Sequence, residues 1–274
     1  MIHLVLTDFA AVTPGVVSPD GWKSWAATGV KPAEEAVPAC PVPAMMKRRM
    51  TPLGRLALTA LADVKPRQEE AVVFASSWGD NGRTHALLAD MTADATGVSP
   101  AGFSSSVHNG VAAVAAIWLK NHHVASAVSG GDLTTEAGLS ECALALADSA
   151  DSVILVRHEE PLPADWNTPC RRIATPAVPY AWAARFVRPD AAPAGTLTVE
   201  LTQLARKPDD ARRDTAVTGA CPADIAFLLG EKSGREHTDA SGRGWRWTKR
   251  VNQWSALSTF TERLPRAFAS ASFS

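Results

Sequence analysis

Strand-like and helix-like segments alternate along the first 157 residues of this chain. A helix rich in alanine and leucine is predicted at residues 136–147, with most of its surface buried. Such alternation predicts an α/β domain in which helices cover both faces of a mixed, mostly parallel sheet. The apolar, β-branched runs that predict its strands are residues 2–6, 71–75, 102–107, 125–128 and 152–156.

The composition of the sequence changes near Pro161, after which repeated prolines would interrupt any long helix or strand. We therefore divide the chain into a regular domain, residues 1–160, and a reduced, irregular region, residues 161–274. The second region is expected to pack on the first domain or on a partner protein. Its predicted elements are a strand at residues 196–204, a short helix at 221–229, an exposed loop at 231–244 and a frayed end at 267–274.

Composition excludes several classes of partner. The formal net charge of −1 provides no field that would attract nucleic acid. No run approaches the roughly 20 apolar residues that span a bilayer, and the amino terminus resembles a first strand more than a signal peptide. We expect a cytoplasmic protein that neither binds nucleic acid nor inserts into a membrane.

The sequence predicts no metal site and no cofactor. The histidines His122 and His123 are adjacent and have no suitably spaced carboxylate or cysteine, so a role at a helix end is favoured. The cysteines are widely separated and are expected to be free, mostly buried thiols, as in a reducing compartment. They are Cys40, Cys142, Cys170 and Cys221.

Residues 99–131 contain most of the candidate catalytic residues of the chain. A short strand is predicted to enter this stretch and a helix to leave it near Val107, with no cysteine between them. One hypothesis pairs a serine nucleophile, Ser104, Ser105 or Ser106, with His108, which would lie one helical turn from Ser104. The alternative is that these serines cap the helix, because no GxSxG elbow is present.

Two tracts combine basic side chains with apolar or aromatic ones. The first, Lys47, Arg48 and Arg49, lies between methionines, and the second is GRGWRWTKR at residues 242–250. Both patterns are typical of surfaces that bind acidic proteins, and equally of solvated helix faces or loops.

The motifs around this stretch resemble the β-ketoacyl synthase family. FSSSVHN at residues 103–109, a long alanine-rich helix and SGG at residues 129–131 resemble the region that carries the family's active-site cysteine. SSWGDNGRTHALLADM at residues 76–91 adds to the likeness, as do GWKSWAATG and MMKRRMTPLGRLALTAL near the amino terminus. More narrowly, they resemble the shortened chain-length factors of aryl polyene pathways, which are type II polyketide systems.

The resemblance implies a thiolase-like fold and two catalytic losses. Aligning Ser106 and His108 with the family's Ser-Ala-His places Phe103 where the nucleophilic cysteine is expected, and a one-residue shift places Ser104 there. Neither side chain forms a thiolate. The family's two catalytic histidines lie in its second half, where this chain has only His237.

The resemblance also implies a dimer with an active ketosynthase. In the family, the strand that enters the nucleophile helix pairs with its equivalent in the partner, and nearby residues shape the acyl tunnel. Here that strand would comprise Ala101, Gly102, Phe103, Ser104, Ser105 and Ser106. The tunnel or interface candidates are Val107, His108, Val111 and Trp118.

We therefore hypothesise a non-catalytic chain-length factor that pairs with a β-ketoacyl-ACP synthase in polyene, polyketide or fatty-acid-like biosynthesis. One alternative is a diverged acyltransferase or ketosynthase that uses Ser104 or Ser105 with His108. Another is a module that docks an acyl carrier protein through Lys47, Arg48 and Arg49.

Overall fold

The computed structural model describes residues 1–32, 35–93, 99–123, 125–166, 175–191, 193, 196–206 and 221–251. The strands in these ranges are β1 (Ile2–Val12), β2 (Ala71–Ala75), β3 (Ala125–Val128), β4 (Ser152–Glu159), β5 (Tyr180–Val187), β6 (Leu197–Gln203), β7 (Gly234–Thr238) and β8 (Gly244–Val251). The α-helices are α1 (Pro19–Thr28), α2 (Ala44–Lys47), α3 (Pro52–Asp63), α4 (Asn81–Ala93), α5 (Pro100–Ser104), α6 (Gly110–Leu119), α7 (Thr134–Asp148) and α8 (Ala223–Leu229). None of the helices in the described ranges is long and apolar enough to cross a membrane.

All of the described strands form one eight-stranded sheet in the order β3-β2-β4-β5-β1-β6-β8-β7. The neighbours β3, β2 and β4 are parallel, and every other neighbouring pair is antiparallel. The prediction of a mixed sheet is therefore confirmed. The strands after residue 161 extend the sheet of the first part of the chain, because β5 lies between β4 and β1.

Helices cover both faces of the sheet, as the sequence predicts. In β4 the side chains alternate, so that Val153 and Leu155 join one core cluster while Ile154 and Val156 join the other. The first cluster lies against α1, α7 and α8, and the second lies against α3 and α6. Burial on both faces explains why β4 is a continuous apolar run up to Val156 instead of a strict alternation of apolar and polar residues.

An ion-paired arginine connects the middle of the sheet to the segment that follows α3. The Arg185 guanidinium, on β5, lies 2.6 Å from the Glu70 carboxylate and 2.5 Å from the Asp8 carboxylate. It also donates to the backbone carbonyl of Val64 at 2.8 Å. Burial would raise the pKa of Glu70, but hydrogen bonds from Arg185 and Ser152 lower it below its ordinary value.

Most of the predicted elements are present. The predicted strands at residues 2–6, 71–75, 125–128, 152–156 and 196–204 correspond to β1, β2, β3, β4 and β6. The predicted helices at residues 136–147 and 221–229 correspond to α7 and α8. Cys40, Cys142 and Cys221 are free and buried, as predicted, whereas Cys170 and residues 267–274 lie outside the described residues.

The predicted strand at residues 102–107 is wrong, because this segment contains α5 and a turn. Ser99 caps the helix by accepting a hydrogen bond from the Gly102 amide at 3.3 Å, and Pro100 occupies its first turn. A serine cap followed by proline is a strong local signal for a helix start. The following helix begins at Gly110 and not near Val107.

The predicted exposed loop at residues 231–244 is also wrong, since it contains β7 and the turn into β8. Charged residues dominate β7, which conceals its strand character, and it pairs only with β8 at one end of the sheet order. In β8, Trp247 is buried, and its indole donates to the Glu136 carboxylate of α7 at 2.9 Å. The tract at residues 242–250 is therefore mostly a strand of the sheet.

We predict that Arg185→Met lowers the free energy of unfolding by about 3 kcal/mol, because Glu70 would remain buried without its charged partner. Urea denaturation monitored by circular dichroism measures this change. The control is Arg246→Met, which breaks an exposed pair with Glu236 and is expected to cost less than about 1 kcal/mol. Equal losses in the two variants would contradict the prediction.

Candidate functional site

The candidate site lies where the parallel strands end, at the loop of residues 76–80 between β2 and α4. Its turn is closed by the Gly79 amide, which donates to the Ser76 hydroxyl at 2.8 Å. Gly79 has a φ of 64°, a value that favours glycine. Asp80 anchors the loop to the start of α3 because its carboxylate accepts a hydrogen bond from the Thr51 hydroxyl at 2.6 Å.

The two positions predicted to replace the nucleophile are on α5, at the surface. The Phe103 side chain is 63% exposed, and Ser104 is exposed as well. The Ser104 hydroxyl donates to the Ala101 carbonyl at 3.1 Å, a bond within its own helical turn. The Ser106 hydroxyl likewise donates to the Phe103 carbonyl at 2.8 Å. These groups satisfy local backbone acceptors and do not form an enclosed reaction site.

His108 contacts the loop after β2 instead of the serines of α5. Its Nε2 atom lies 2.8 Å from the Ser76 carbonyl oxygen, so this nitrogen is the donor in the contact. The ring packs against Gly79, where an added Cβ would lie only 3.1 Å from the imidazole. The Ser105 hydroxyl accepts from the Arg83 guanidinium at 2.7 Å. The structure therefore does not bring Ser104 or Ser105 together with His108 as a nucleophile and its base.

A buried ion pair supports the same loop from the opposite face of the sheet. The Arg157 guanidinium and the Ser77 amide both donate to the Glu159 carboxylate. Arg157 also donates to the Thr135 hydroxyl at 3.1 Å. Burial would lower the pKa of Arg157, but the charge of Glu159 raises it above its ordinary value, so the guanidinium stays charged. The sequence analysis missed this pair, although charged residues directly after the apolar run of β4 are a usable signal.

Three buried polar side chains around the loop have no hydrogen-bond partner of normal length and angle in the described part of the chain. They are the indole of Trp78, the side-chain amide of Asn81 and the imidazole of His158. Burial, followed by the charges of Arg157 and His108, lowers the pKa of His158 to about 3, and the Val156 carbonyl only partly opposes this shift. His158 is therefore neutral near pH 7.

The tunnel or interface candidates of α6 are only partly buried. Val111 packs against the start of α3, with its Cγ2 atom 3.4 Å from an added Cβ at Gly54. Trp118 packs at the edge of the second core cluster, and Val107, which precedes α6, is 44% exposed. The fully buried positions of α6 are instead two alanines, Ala112 and Ala115.

The basic tract of α2 belongs to a larger basic surface. The Arg55 guanidinium donates to the Lys47 carbonyl at 2.9 Å, and Arg83 donates to the Arg49 carbonyl at 3.1 Å. Arg48 is exposed beside them. We call this set the basic surface: Lys47, Arg48, Arg49, Arg55 and Arg83.

The strand β3 is at one end of the described sheet order. Its four residues, Ala125–Val128, are half-buried and include no lysine, no proline and no bulge that would protect an edge. A groove of about 620 Å³ lies at the amino ends of the parallel strands and is lined partly by Ser126, Glu141 and Leu144. In the described ranges, no group of three or more potential ligands could hold a metal ion.

The low pKa of His158 predicts a pH-dependent stability. In the unfolded state the His158 imidazole has a pKa near 6.5, whereas in the folded state its pKa is about 3. Below pH 6.5 the unfolded state therefore binds a proton that the folded state does not, so the free energy of unfolding falls as the pH drops. Between pH 6.5 and 5, His158 alone is expected to account for about 2 kcal/mol of this loss.

Urea denaturation at pH 7 and pH 5 should therefore show a smaller loss of unfolding free energy in His158→Leu than in the wild type. The exposed His122→Leu is the control and should retain the wild-type dependence. An unchanged pH dependence in His158→Leu would show that this imidazole is not excluded from protonation.

Solved structures with the same fold include two ketosynthase/chain length factor complexes. One chain from the complex of a ketosynthase with its chain length factor from Xenorhabdus doucetiae is 24% identical, with a TM-score of 0.70 over 90% of this chain and 100% of the solved one. A chain from the ishigamide ketosynthase/chain length factor is 16% identical, with a TM-score of 0.66 over 91% of this chain and 99% of the solved one. A beta-ketoacyl synthase from Burkholderia phymatum is 13% identical, with a TM-score of 0.56 over 77% of this chain but 65% of the solved chain.

The mixed sheet with its helical layers is therefore a thiolase-like ketosynthase fold. Among curated proteins, none matches the chain by sequence. The family sequence model described as "Beta-ketoacyl synthase, N-terminal domain" matches residues 22–248, which is most of the chain. The chain belongs to the beta-ketoacyl synthase N-terminal domain family.

Proposed function

We propose that this protein is a non-catalytic chain-length factor that pairs with an active β-ketoacyl-ACP synthase. The observation that carries this proposal is the extent of the structural match. The chain matches 100% and 99% of chains from two ketosynthase/chain length factor complexes, but 65% of the chain of a beta-ketoacyl synthase. The structural match therefore spans the full length of these two solved chains but only part of the beta-ketoacyl synthase chain.

The chemistry of the described residues supports a role without catalysis. Phe103 and Ser104 provide no thiolate where the resemblance places the nucleophile. Burial raises the pKa of the Cys221 thiol to about 12 and that of Cys142 even further, so both stay protonated. His237, the only histidine after residue 161, lies 2.7 Å from the Glu136 carboxylate through its Nδ1 atom.

The proposed interface with the ketosynthase includes residues 101–106, now as part of a helix and turn. Exposed Phe103 gives this segment an apolar anchor, and exposed aromatic side chains are frequent contributors to binding energy at interfaces. The unprotected edge of β3 offers backbone hydrogen-bonding groups to a partner in the same assembly. Val107, His108, Val111 and Trp118 are proposed to border the acyl tunnel or the interface.

The proposed pathway is polyene or polyketide biosynthesis, in which acyl chains are extended as in fatty-acid biosynthesis. Within this class, we propose an aryl polyene pathway. We propose that the protein is located in the cytoplasm, where thiols remain reduced, and its free cysteines are compatible with this location. The proposed complex needs no cofactor in this chain.

Docking of an acyl carrier protein is the second candidate function, favoured by the basic surface. A carrier protein attached to a ketosynthase appears among the solved relatives, in a type II polyketide complex with a TM-score of 0.59 and 11% identity. The other alternative, acyl transfer by Ser104 or Ser105 with His108, has no supporting contact among the described residues, because both serine hydroxyls donate to backbone carbonyls of their own helix.

Co-expression with the ketosynthase encoded nearest to its gene tests the leading proposal. We predict a 1:1 complex by size-exclusion chromatography with light scattering, and condensing activity that the ketosynthase lacks alone. Phe103→Glu should weaken the complex about tenfold or more, because a charge would be buried at the interface. If this chain stays monomeric and the ketosynthase elongates normally alone, the proposal fails.

Val30→Glu is the matched control, because Val30 is 68% exposed and follows α1, outside the proposed interface. It is expected to leave the affinity for the ketosynthase unchanged. Equal weakening by the two variants would locate the interface elsewhere, while the complex itself would still support the pairing.

Charge reversal tests carrier docking separately. We predict that Lys47→Glu combined with Arg48→Glu and Arg49→Glu weakens binding of the carrier protein at least about tenfold, with a reduced dependence on salt. Surface plasmon resonance at two salt concentrations measures both effects. The control reverses Lys23, Lys31 and Lys120, which lie outside the basic surface, and carrier binding that responds equally to both triple variants contradicts the assignment.

A further inference from the structure

Arg83 connects two surface segments that have different proposed partners. It belongs to the first turn of α4, and its guanidinium donates to the Ser105 hydroxyl through Nη1 at 2.7 Å. Through Nη2 it donates to the Arg49 carbonyl at 3.1 Å. Ser105 lies in the segment that we propose to face the ketosynthase, residues 101–106, whereas Arg49 belongs to the basic tract of residues 47–49. One side chain is therefore bonded to both segments.

A buried carboxylate fixes the position of Arg83. The Asp80 side chain accepts from the Arg83 backbone amide at 3.2 Å and lies 3.9 Å from the Nε atom of the guanidinium. The same carboxylate accepts from the Thr51 hydroxyl at the start of α3, at 2.6 Å. Asp80 thus anchors the guanidinium to the buried part of the domain, and the two Nη atoms bond to the surface segments.

The two segments that Arg83 connects contain very short helices. The helix α2, which begins the basic tract, has four residues, and α5 has five. Isolated helices shorter than about 12 residues are only marginally stable in water, so both depend on contacts with the rest of the chain. Since both segments bond to the same guanidinium, a contact that fixes one of them also favours the position of the other.

We propose that Arg83 is a positioning residue that couples pairing with the ketosynthase to docking of the carrier protein. A ketosynthase that covers Phe103 fixes α5, so that Ser105 holds the guanidinium and the guanidinium holds the backbone of Arg49. The tract then loses its conformational freedom during pairing, and the carrier protein binds a surface that is already ordered. This inference rests on the proposed pairing and adds a way in which pairing regulates carrier docking.

Hydrogen exchange tests the coupling without a carrier protein. We expect saturation with the ketosynthase to slow amide exchange of residues 44–50 about fivefold in the wild type. Ser105→Ala removes an acceptor of Arg83 without a change of charge and should abolish most of this slowing. Ser106→Ala is the matched control and should retain the slowing, because the Ser106 hydroxyl donates to the Phe103 carbonyl and not to the tract.

Carrier titrations measure the same coupling as an affinity. Surface plasmon resonance compares the free chain with the complex, and the complex of the triple charge-reversal variant gives the affinity that the ketosynthase supplies by itself. After this correction, we expect pairing to strengthen carrier binding about fivefold in the wild type but less than about twofold in Arg83→Met. Arg55→Met also removes one charge from the basic surface, but Arg55 donates to the Lys47 carbonyl and should retain the strengthening.

The possible results separate this inference from the pairing itself. Equal slowing of exchange in Ser105→Ala and Ser106→Ala would overturn the coupling, and so would equal strengthening of carrier binding in Arg83→Met and Arg55→Met. A wild-type complex that forms without either effect would also overturn it, and the pairing would still stand. If light scattering shows no complex, the pairing fails and the coupling fails with it.

Discussion

The strand β4 is the constraint on which the rest of the fold depends. It is the only described strand that has a parallel neighbour on one side and an antiparallel neighbour on the other, so it joins the two parts of the sheet. Its apolar residues supply both core clusters, and its carboxyl end places Arg157, His158 and Glu159 around the loop after β2. Because all of these residues are buried, each side chain needs either an apolar neighbour or a polar partner. The Arg157–Glu159 pair meets this requirement, whereas the imidazole of His158 has no partner of normal hydrogen-bond geometry among the described residues.

A local helix signal at residues 99–104 determines how one end of the sheet is arranged. Apolar and β-branched character predicts a strand there, yet the serine cap and Pro100 satisfy the backbone as a helix instead. Residues that form α5 add no strand beside β3, which therefore ends the described sheet order. An unprotected edge and an exposed Phe103 are unfavourable for an isolated protein, because both promote association. A committed partner removes both liabilities, which is the physical basis of the proposed pairing.

The sequence predicts buried elements well and solvated or polar ones poorly. The runs that became β2 and β4 have a hydrophobic pattern that only a core strand satisfies, so their positions follow from sequence alone. The strand β7, GREHT, has no such pattern, and its register depends on pairing with β8, a contact that local sequence does not encode. The same distinction applies to the candidate site. His108 is visible from its motif, but its bond to Ser76 joins residues 32 positions apart. His158 is concealed within an apolar strand.

The orientation of His108 explains why the proposed loss of the nucleophile is compatible with this fold. A catalytic base needs an unprotonated ring nitrogen directed at the group that it deprotonates, and among the described residues the hydroxyls of Ser104 and Ser105 bond to backbone carbonyls and not to His108. Here Nε2 donates to a backbone carbonyl and the ring packs on Gly79, so the imidazole holds the loop after β2 in place. This structural role requires the shape of the imidazole ring and one hydrogen-bond donor. Neither of them depends on a thiolate at residue 103 or 104. The described contacts of His108 and its neighbours are thus those that fix the ends of the parallel strands.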